Sequence, residues 1–585
     1  MTDIAAADFY IAPDGDDGNP GTEEAPFATL ARAREAVRRV AARGLERDVI
    51  VLLRGGVYDL PEPVVFEPQD SGTERYSVTY AAYPGETPVI SGGTAIGGWS
   101  PGAGEVWTAA VPEVKSGAPA FRALFVNGER AIRARTPNLD DEQPCWKLVS
   151  AEASEDGRVL AVGLPPGAIA DWGKAEEAEI VFLGSWEITR KRIAAVDEGS
   201  GRVTLAEPHV AGHYANRPAA GMACYFENAM ELLDRPGEWH LDHRAGVLHY
   251  QPRDGREPAA AEVVAPRLTE LLRIAGTPER PVRNLHFRGL RFAHTDWPLP
   301  AQGYNGVQAC FYYGPAGDAP EGRDELHALP IGAAVEWEYA HSCSLAGCEI
   351  AHTGGGALSL GRGCCDNRIA GNRIFDVGAN GVMVGESLRA LHDAGQAPAE
   401  HEVPRGNVVT DNEIHHCGAD YHGAVGIWVA FTEGTVVAHN LVRDLPYTGI
   451  SVGFIWDSQP TVCRNNLIAY NHIHDVMKVL ADGGGIYTLG LQPGTVLRGN
   501  LIHDVHRCSC TYVESPNNGV FFDEGSAGYL VEDNIIYHTP EGALRFNQSS
   551  PDAHTWHGNT FDLEPGEAGF PAERAAEARP RAAAG

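Results

Sequence analysis

The spacing of hydrophobic and polar positions divides the chain into parts with different predicted structures. In the first part, a short apolar run near Phe9 is followed by helical spacing from Thr29 to Arg43 and then by the continuous apolar run Val49–Leu53. These patterns predict a strand, an amphipathic helix and a buried strand. We therefore assign residues 1–99 to an N-terminal cap and the first turns of a larger β structure.

The second part has longer stretches in which apolar and polar residues alternate. One run begins at Phe121 and reaches the turn pair Asn127-Gly128, and a later run ends near Tyr250. Alternation interrupted by Asn-Gly is typical of antiparallel hairpins. Residues 100–272 are therefore predicted to form an inserted antiparallel domain that resembles a β-sandwich.

A repeat led by asparagine dominates residues 273–562. Its units begin at the following positions: Asn372, Asn412, Asn440, Asn471, Asn500 and Asn534. The spacings are 40, 28, 31, 29 and 34 residues, and the extra residues fall in segments rich in Gly, Pro and charge. Short strands repeating at this period predict an all-β solenoid, the parallel β-helix. The Ala-, Glu- and Pro-rich residues 563–585 are predicted to be a flexible C-terminal tail.

Equivalent residues in stacked turns form columns, and the repeat indicates what each column does. We expect the Asn side chains to stack and to satisfy backbone groups of the turns. Period-two alternation in the Gly-led strand after each Asn directs one set inward: Ile427, Ile450, Ile486 and Val520. It directs the other set outward: Trp428, Ser451, Tyr487 and Phe521. An outward aromatic stripe suits the apolar faces of sugar rings, and packing against the inserted domain is the alternative.

Two carboxylates break the repeat on this same face. Asp482 precedes Gly-Gly-Gly-Ile-Tyr, and Asp523 ends the next Gly-led strand. Two carboxyl groups beside a groove are what glycosidic cleavage requires, one as proton donor and the other as nucleophile or base. On flat strands the two would lie roughly 20 Å apart, so the glycine run 483–485 is expected to fold the loop back. Glu524 is the alternative to Asp523.

Further polar and aromatic residues near these strands are candidates for substrate binding. They are Trp428, Tyr447, Trp456, Tyr487, His422 and Arg545. Less favoured candidates are Glu433, Asp457 and His474, the last because His474 and His503 occupy equivalent positions in successive turns. Tyr447 and Trp456 flank one strand and are expected to form a platform for a sugar ring.

Composition limits the classes of molecule that the protein is expected to bind. The formal net charge of −32 over 585 residues disfavours nucleic acid and anionic membranes, and no apolar run reaches transmembrane length. The eleven cysteines lack the spacing of a zinc ligand set, so we expect no metal, no cofactor and mostly reduced, buried thiols. With no signal-peptide pattern at residue 1, the sequence predicts a cytoplasmic protein that acts on short oligosaccharides, unless a leader was removed.

Several motifs together resemble glycoside hydrolase family 141. They are Leu124-Phe-Val-Asn-Gly-Glu-Arg, Glu227-Asn-Ala, Ala481-Asp-Gly-Gly-Gly-Ile-Tyr-Thr-Leu-Gly and Phe522-Asp-Glu-Gly-Ser. The resemblance extends from residue 8 to about residue 562, and it implies a right-handed parallel β-helix and action on plant cell-wall glycans as an α-L-fucosidase or xylanase. It also implies a catalytic pair of aspartates, which match Asp482 and Asp523. Family 120 β-xylosidases, which have a similar β-helix with an inserted sandwich, are the nearest alternative.

The sequence therefore predicts a glycoside hydrolase and leaves two other functions open. A polysaccharide lyase on the same fold would need a basic residue and a calcium cluster facing a uronate. A non-catalytic glycan-binding β-helix would need neither aspartate.

Overall fold

Three long parallel sheets form the body of the protein. The computed structural model describes residues 7–169, 172, 177–209, 216–253, 261–314, 328–386, 395–512 and 515–581. In the β-helical part, each turn of chain adds one strand to each sheet, and every strand pairs in parallel with its equivalent in the next turn. The predicted all-β parallel β-helix is confirmed.

The strands of the three sheets follow in chain order. The first sheet contains Phe9–Ile11, Val49–Leu53, Val78–Ala82, Leu285–Arg288, Ser344–Ala346, Arg368–Ala370, Val408–Thr410, Val436–Ala438, Leu467–Ala469, Val496–Arg498, Leu530–Glu532 and Thr555–His557. The second contains Gly56–Asp59, Pro88–Ser91, Arg291–Thr295, Glu349–Thr353, Arg373–Val377, Glu413–Cys417, Leu441–Arg443, His472–Val476, Leu501–Val505, Ile535–Ile536 and Thr560–Phe561. The third contains Val64–Phe66, Leu272–Ala275, Ala333–Glu338, Gly356–Leu360, Val382–Gly385, Ile427–Ala430, Ile450–Val452, Gly484–Thr488, Asn518–Phe522 and Leu544–Phe546.

The core is built from columns of aliphatic residues in register. In the second sheet, Ile414 pairs with Val442, which pairs with Ile473, and each of these is fully buried. In the third sheet, Ile427, Ile450, Ile486 and Val520 form the corresponding column. Burial of such side chains stabilises the coil by roughly 1.5–3 kcal/mol each.

The asparagine column forms a ladder at the corner between the first and second sheets. At Asn440, the side-chain amide donates to the carbonyl oxygen of Val409 at 3.0 Å and to Asn471 Oδ1 at 2.9 Å. The same pattern recurs from Asn372 to Asn534. The residue before each ladder asparagine has positive φ, as in Tyr470 at 55° and Gly499 at 61°, and this conformation turns the chain at the corner. The predicted structural role of the asparagines is confirmed.

Residues between the first turns and the main coil form mostly antiparallel sheets. One has the strand order Glu129–Arg130, Phe125–Val126, Val263–Pro266, Gly93–Ala95. A second has the order Ile132–Arg133, Glu238–Asp242, Val247–Tyr250, Trp107–Ala110, Ser100–Pro101. The largest has the main order Arg135–Thr136, Ala223–Glu227, Glu179–Leu183, Ile188–Asp197, Arg202–His209, Val159–Gly163, Ser150–Ala153, with Trp146–Lys147, Tyr304–Gln308, Phe311–Tyr313 and Ala328–Pro330 attached. The boundaries 100 and 272 stay predictions.

Helices are short and few among the described residues. They are Leu30–Ala41, Pro112–Lys115 and Ala572–Glu577, with 3-10 turns at Pro68–Asp70, Met230–Leu232, Glu400–Glu402 and Pro551–Ala553. The helix predicted from Thr29 to Arg43 is present as Leu30–Ala41, Thr29 caps it, and Asp17 in the preceding turn accepts from Ala28 N at 2.9 Å and Thr29 N at 3.0 Å. No helix of the described residues is long and apolar enough to cross a membrane.

The segment predicted as a flexible tail contains the helix Ala572–Glu577. Ala575 and Ala578 are buried in one cluster with Leu501, Ile535 and Tyr537. The alanines of the tail therefore cover apolar side chains on the outside of the second sheet, which the composition of the tail alone did not indicate.

A disulfide joins Cys145 of the inserted region to Cys510 of the main coil, 365 residues apart. The prediction of mostly reduced thiols does not hold for these two, because the fold brings together cysteines that are remote in sequence. The other cysteines are free, and most of them are buried.

Candidate active site

The outer face of the third sheet positions the residues of the candidate site. Tyr487 pairs with Phe521 on the next strand, and Phe521 pairs with Arg545 on the strand after that. Because side chains alternate along a strand, these three lie side by side on one face. Asp523 lies two residues after Phe521, and Asp482 lies five residues before Tyr487.

Asp523 is a buried carboxyl group held by two donors. The hydroxyl of Tyr487 donates to Oδ2 at 2.5 Å, and the side-chain amide of Asn547 donates to Oδ1 at 2.7 Å. Only 9% of the residue is exposed. Burial raises the pKa of Asp523 above its ordinary value; the two hydrogen bonds oppose this rise, and the negative charge of Asp482 adds to it.

Asp482 is held at two points, its side chain by a cation and its backbone by a tyrosine. Its Oδ1 accepts from Arg545 Nη1 at 2.7 Å, and its carbonyl oxygen accepts from the Tyr447 hydroxyl at 3.1 Å. Its φ of 62° lies in the left-handed region, which a non-glycine residue adopts only at a cost. The ion pair with Arg545 places a positive charge directly beside the Asp482 carboxyl group.

Arg545 connects the two halves of the site. Its guanidinium lies 3.9 Å from the centre of the Phe521 ring and also donates to the carbonyl oxygen of Pro516 at 3.1 Å. The Phe521 ring in turn packs edge-on against Tyr487, the donor to Asp523, with ring centres 5.3 Å apart. A continuous set of side chains therefore links Asp482 to Asp523.

Tyr447 provides a second link between the aspartates. Burial raises the pKa of Tyr447 well above its ordinary value, and the negative charges of Asp482 and Asp523 raise it further. Both carboxyl groups thus act on one phenol. The expected folding back of residues 483–485 is wrong for Gly484 and Gly485, because both belong to the strand Gly484–Thr488.

The predicted aromatic platform is largely covered. Trp428 is fully buried, with Phe311 at 5.1 Å and Phe454 at 5.4 Å between ring centres, so the prediction that it lines an open groove is wrong. Tyr447 and Tyr487 are also buried, and their hydroxyls hold the aspartates rather than facing a groove. The physical reason is that the strand Phe311–Tyr313 covers this part of the sheet.

The remaining predicted residues lie at different distances from the pair. Trp456 is half-buried and packs against Tyr487 and Phe521, at the edge of the site. Glu524 is half-buried beside Asp523. His422 lies against the inserted region, where Nε2 is 3.1 Å from the Tyr225 hydroxyl and Nδ1 is 2.9 Å from the carbonyl oxygen of Gly418.

The less favoured candidates have structural partners. Glu433 forms a two-point ion pair with Arg464, and His474 binds Asp475 at 2.8 Å and stacks on His503. The stacking confirms that His474 and His503 occupy equivalent positions in adjacent turns.

Two residues of the site were missed in the sequence. Asn547 follows Phe546, which pairs with Phe522, so the register of the repeat places Asn547 beside Asp523. That register was a usable signal. Gln308 lies beside both Tyr447 and Tyr487, where its side chain acts to lower the pKa of each phenol against the rise caused by burial, and no repeat pattern indicates it because it follows the inserted region.

The described residues contain no group of three or more His, Cys, Asp or Glu side chains able to hold a metal ion. The chemistry available in the site is that of two carboxyl groups in different environments. One is buried and has a raised pKa, and the other is paired with a cation. This combination suits proton donation by the first and charge stabilisation, nucleophilic attack or proton removal by the second.

Two family models of known proteins match separate parts of the chain, and one solved structure aligns with nearly all of it. A family model described as the GH141 insertion domain matches residues 104–253, and one described as a right-handed beta helix region matches residues 389–536. A solved structure named glycoside hydrolase aligns over 99% of both chains with 27% identity and a TM-score of 0.83.

Two further matches are weaker. The uncharacterized protein YwoF of Bacillus subtilis (strain 168) is 39% identical over 84 residues, which span 14% of this chain and 15% of that protein. A structure of XylC with xylose aligns over 96% of this chain and 87% of that chain, at 11% identity and a TM-score of 0.47. Such a score supports no inference about activity.

Proposed function

We propose that this protein, a right-handed parallel β-helix glycoside hydrolase similar to family 141, uses Asp482 and Asp523 to cleave glycosidic bonds in oligosaccharides of the plant cell-wall type. The substrate is an α-L-fucoside or a xylan-type xyloside. One observation carries the proposal: on the outer face of the third sheet, Asp523 is buried and held by Tyr487 and Asn547, Asp482 forms an ion pair with Arg545, and the Phe521 ring connects Arg545 to Tyr487.

Asp523 is the general acid in this proposal. Its burial and raised pKa favour the protonated form, which can donate a proton to the leaving oxygen. Tyr487 and Asn547 fix the orientation of the carboxyl group, because each holds one of its two oxygens. A fixed donor needs little reorganisation when the bond breaks.

Asp482 is the nucleophile or the general base. In this role its carboxylate attacks the sugar carbon or removes a proton from water, and Arg545 at 2.7 Å holds it in place. The ion pair with Arg545 is made by Oδ1, and the second carboxylate oxygen, Oδ2, is not part of it. Arg545 itself is held by Pro516 and Phe521, so it fixes Asp482 as well as balancing its charge.

The choice of sugar rests on the family resemblance alone. A lyase reaction on the same face would need a free basic residue to remove a proton from a uronate, and Arg545 is instead paired with Asp482. This pairing favours hydrolysis over elimination.

A panel of aryl glycosides and xylan fragments tests the function. We expect wild-type protein to release the phenol or a reducing sugar from an α-L-fucoside, a β-xyloside or xylan fragments, with no unsaturated product absorbing in the ultraviolet. An unsaturated product from a uronate substrate would establish a lyase instead. Binding of these oligosaccharides without turnover would establish a glycan-binding protein.

Replacing Tyr487 by Phe should change the pH dependence of hydrolysis. The Tyr487 hydroxyl lowers the pKa of Asp523, so its removal raises that pKa. If Asp523 is the acid, it then stays protonated to higher pH, and the alkaline limb of kcat/KM moves upward by about one pH unit. The measurement is kcat/KM against pH on the best substrate of the panel.

Tyr447→Phe is the matched control for this shift. The Tyr447 hydroxyl donates to the backbone oxygen of Asp482 and not to a carboxyl group. We expect its removal to leave the alkaline limb in place. An unchanged or lowered alkaline limb in Tyr487→Phe would contradict the role of Asp523 as the acid.

A further inference from the structure

Three cysteines lie together where the inserted region meets the main coil. Cys510 forms the disulfide with Cys145, and the backbone N–H of Cys510 donates to the sulfur of the free Cys508 at 3.3 Å. The sulfur of a cysteine lies within about 4 Å of its own backbone nitrogen, so the sulfurs of Cys508 and Cys510 are within roughly 7 Å of each other. A free thiol therefore lies beside a disulfide.

The chain at this point forms a tight turn. The backbone N–H of Thr511 donates to the carbonyl oxygen of Cys508 at 3.3 Å, so residues 508–511 form a β-turn. Residues two apart in such a turn have Cα atoms roughly 5.5 Å apart, within the range of about 4.4–6.8 Å that a disulfide requires. The turn therefore allows Cys508 to pair with Cys510 without a large movement of the chain.

Two of the three cysteines are in contact with solvent. Cys145 and Cys508 are half-buried and Ser509 is exposed, whereas only 3% of Cys510 is exposed. The ammonium group of Lys147 donates to the carbonyl oxygen of Cys510 at 3.0 Å. Burial lowers the pKa of Lys147, and negative charge at Cys508 acts to raise it. A positive charge therefore lies beside the sulfurs.

These positions suit thiol–disulfide exchange, in which a thiolate attacks one sulfur of a disulfide and the other sulfur leaves as a thiolate. Attack by Cys508 on the sulfur of Cys510 forms a Cys508–Cys510 bond, breaks the Cys145–Cys510 bond and releases Cys145. Water accepts the proton of Cys508, and Cys145 takes one up, so no oxidant or reductant is consumed. The opposite attack would release Cys510, and a thiolate at that buried position would lack hydration.

The bond that is exchanged is the covalent link between two parts of the fold. Cys145 directly precedes the strand Trp146–Lys147 of the inserted region, and Cys510 lies between the strands Leu501–Val505 and Asn518–Phe522 of the main coil. The latter strand leads directly to Asp523. Opening the link therefore removes the covalent constraint that the inserted region places on this connection.

We propose that Cys508 is an exchange thiol that opens the Cys145–Cys510 bond. The protein then has two disulfide isomers. In one, the inserted region is covalently attached to the main coil, and in the other it is held by noncovalent contacts alone. This inference goes beyond the proposed function, because it concerns the attachment of the inserted region and not the reaction at the aspartates.

The test locates the free thiol in the full-length protein. Wild type and Cys508→Ser are held at about pH 8.5 without added thiol, alkylated with iodoacetamide, quenched with acid, digested at low pH and mapped by mass spectrometry. We expect label on Cys145, together with a Cys508–Cys510 bond, at least about tenfold above the level in Cys508→Ser, where no neighbouring thiol is left to attack the disulfide. Label on Cys508 with an intact Cys145–Cys510 bond in all molecules, or equal label on Cys145 in both proteins, would overturn the proposal.

Cys365→Ser is the matched control. Cys365 is also a half-buried free cysteine, but it belongs to the ladder of the main coil, where it bridges His341 and Arg405. Its removal should leave the label on Cys145 at the wild-type level. A loss of that label would overturn the assignment of the attack to Cys508.

A second variant tests whether the turn can hold the new bond. Cys145→Ser leaves Cys508 and Cys510 as a pair of thiols, and oxidised glutathione supplies the oxidant. We expect a protein about 2 Da lighter, with an internal Cys508–Cys510 bond and two molecules of reduced glutathione released. A stable glutathione adduct on either cysteine, without closure of the ring, would overturn the proposal. Thermal unfolding of each variant identifies any general loss of structure.

Discussion

Replacing either Asp482 or Asp523 by Asn should lower kcat at least about a hundredfold while leaving the fold intact. Loss of a positioned acid or base removes a factor of about 10²–10⁴ from the rate. Asn keeps the shape of the side chain, so Arg545 and Tyr487 retain neighbours of the same size. Kinetics on the best panel substrate, with circular dichroism and thermal unfolding of each variant, measure the effect.

Asp504→Asn is the matched control, because Asp504 lies in the same turn as Asp523 but binds His503 at 2.7 Å on the second sheet. We expect it to keep near wild-type kcat. Full activity in Asp523→Asn would move the acid to Glu524 or to another turn. Full activity in Asp482→Asn would show that Asp482 is neither the nucleophile nor the base.

Glu179→Gln should produce the largest loss of stability, about 3–5 kcal/mol. The carboxylate of Glu179 is 3% exposed and receives a two-point ion pair from Arg122 at 2.6 and 2.8 Å. Arg133 at 3.2 Å and Arg190 at 3.3 Å bind the same group, and Arg190 also pairs with Glu227. Removing one negative charge leaves buried guanidinium groups without compensation. Denaturant unfolding followed by tryptophan fluorescence measures the change.

The exposed pair of Glu152 and Arg202 provides the control. It has similar two-point geometry at 2.8 Å, but about half of each side chain is exposed, so Glu152→Gln should cost less than about 1 kcal/mol. Equal losses of unfolding free energy in the two variants would show that burial does not increase the contribution of the Glu179 network to stability.

The pH dependence of the Glu179 effect follows from its charge. Burial opposes ionisation of Glu179, but the three guanidinium groups outweigh it and hold the pKa well below the ordinary value. The contribution is present above the unfolded pKa of about 4.3 and is lost as the pH falls through the folded pKa. The difference between wild type and Glu179→Gln should therefore shrink as the pH is lowered below about 4.

The fold could be predicted because its signal repeats. The ladder asparagines and the column Ile427, Ile450, Ile486 each recur once per turn, and the packing of stacked strands requires identical positions. The aspartates could be found for the opposite reason, because they interrupt this repeat.

Contacts between parts of the chain that are remote in sequence could not be predicted. Trp428 is an outward position of its strand, as the alternation indicates, but Phe311 and Phe454 cover it. The Cys145–Cys510 bond and the contact of Ser185 with Ala481 also join the inserted region to the main coil. Period and alternation describe one element at a time, and they contain no information on what packs over it.

The role of each aspartate is tested most directly by leaving-group dependence. The measurement is kcat/KM of Asp523→Asn on a dinitrophenyl glycoside, whose phenol leaves without a proton, and on the matching phenyl glycoside, whose phenol needs one. We predict a loss of less than about tenfold on the first and of about a hundredfold or more on the second, with Asp482→Asn impaired on both. Equal losses of Asp523→Asn on both substrates, or a selective loss in Asp482→Asn, would contradict the assignment of Asp523 as the acid.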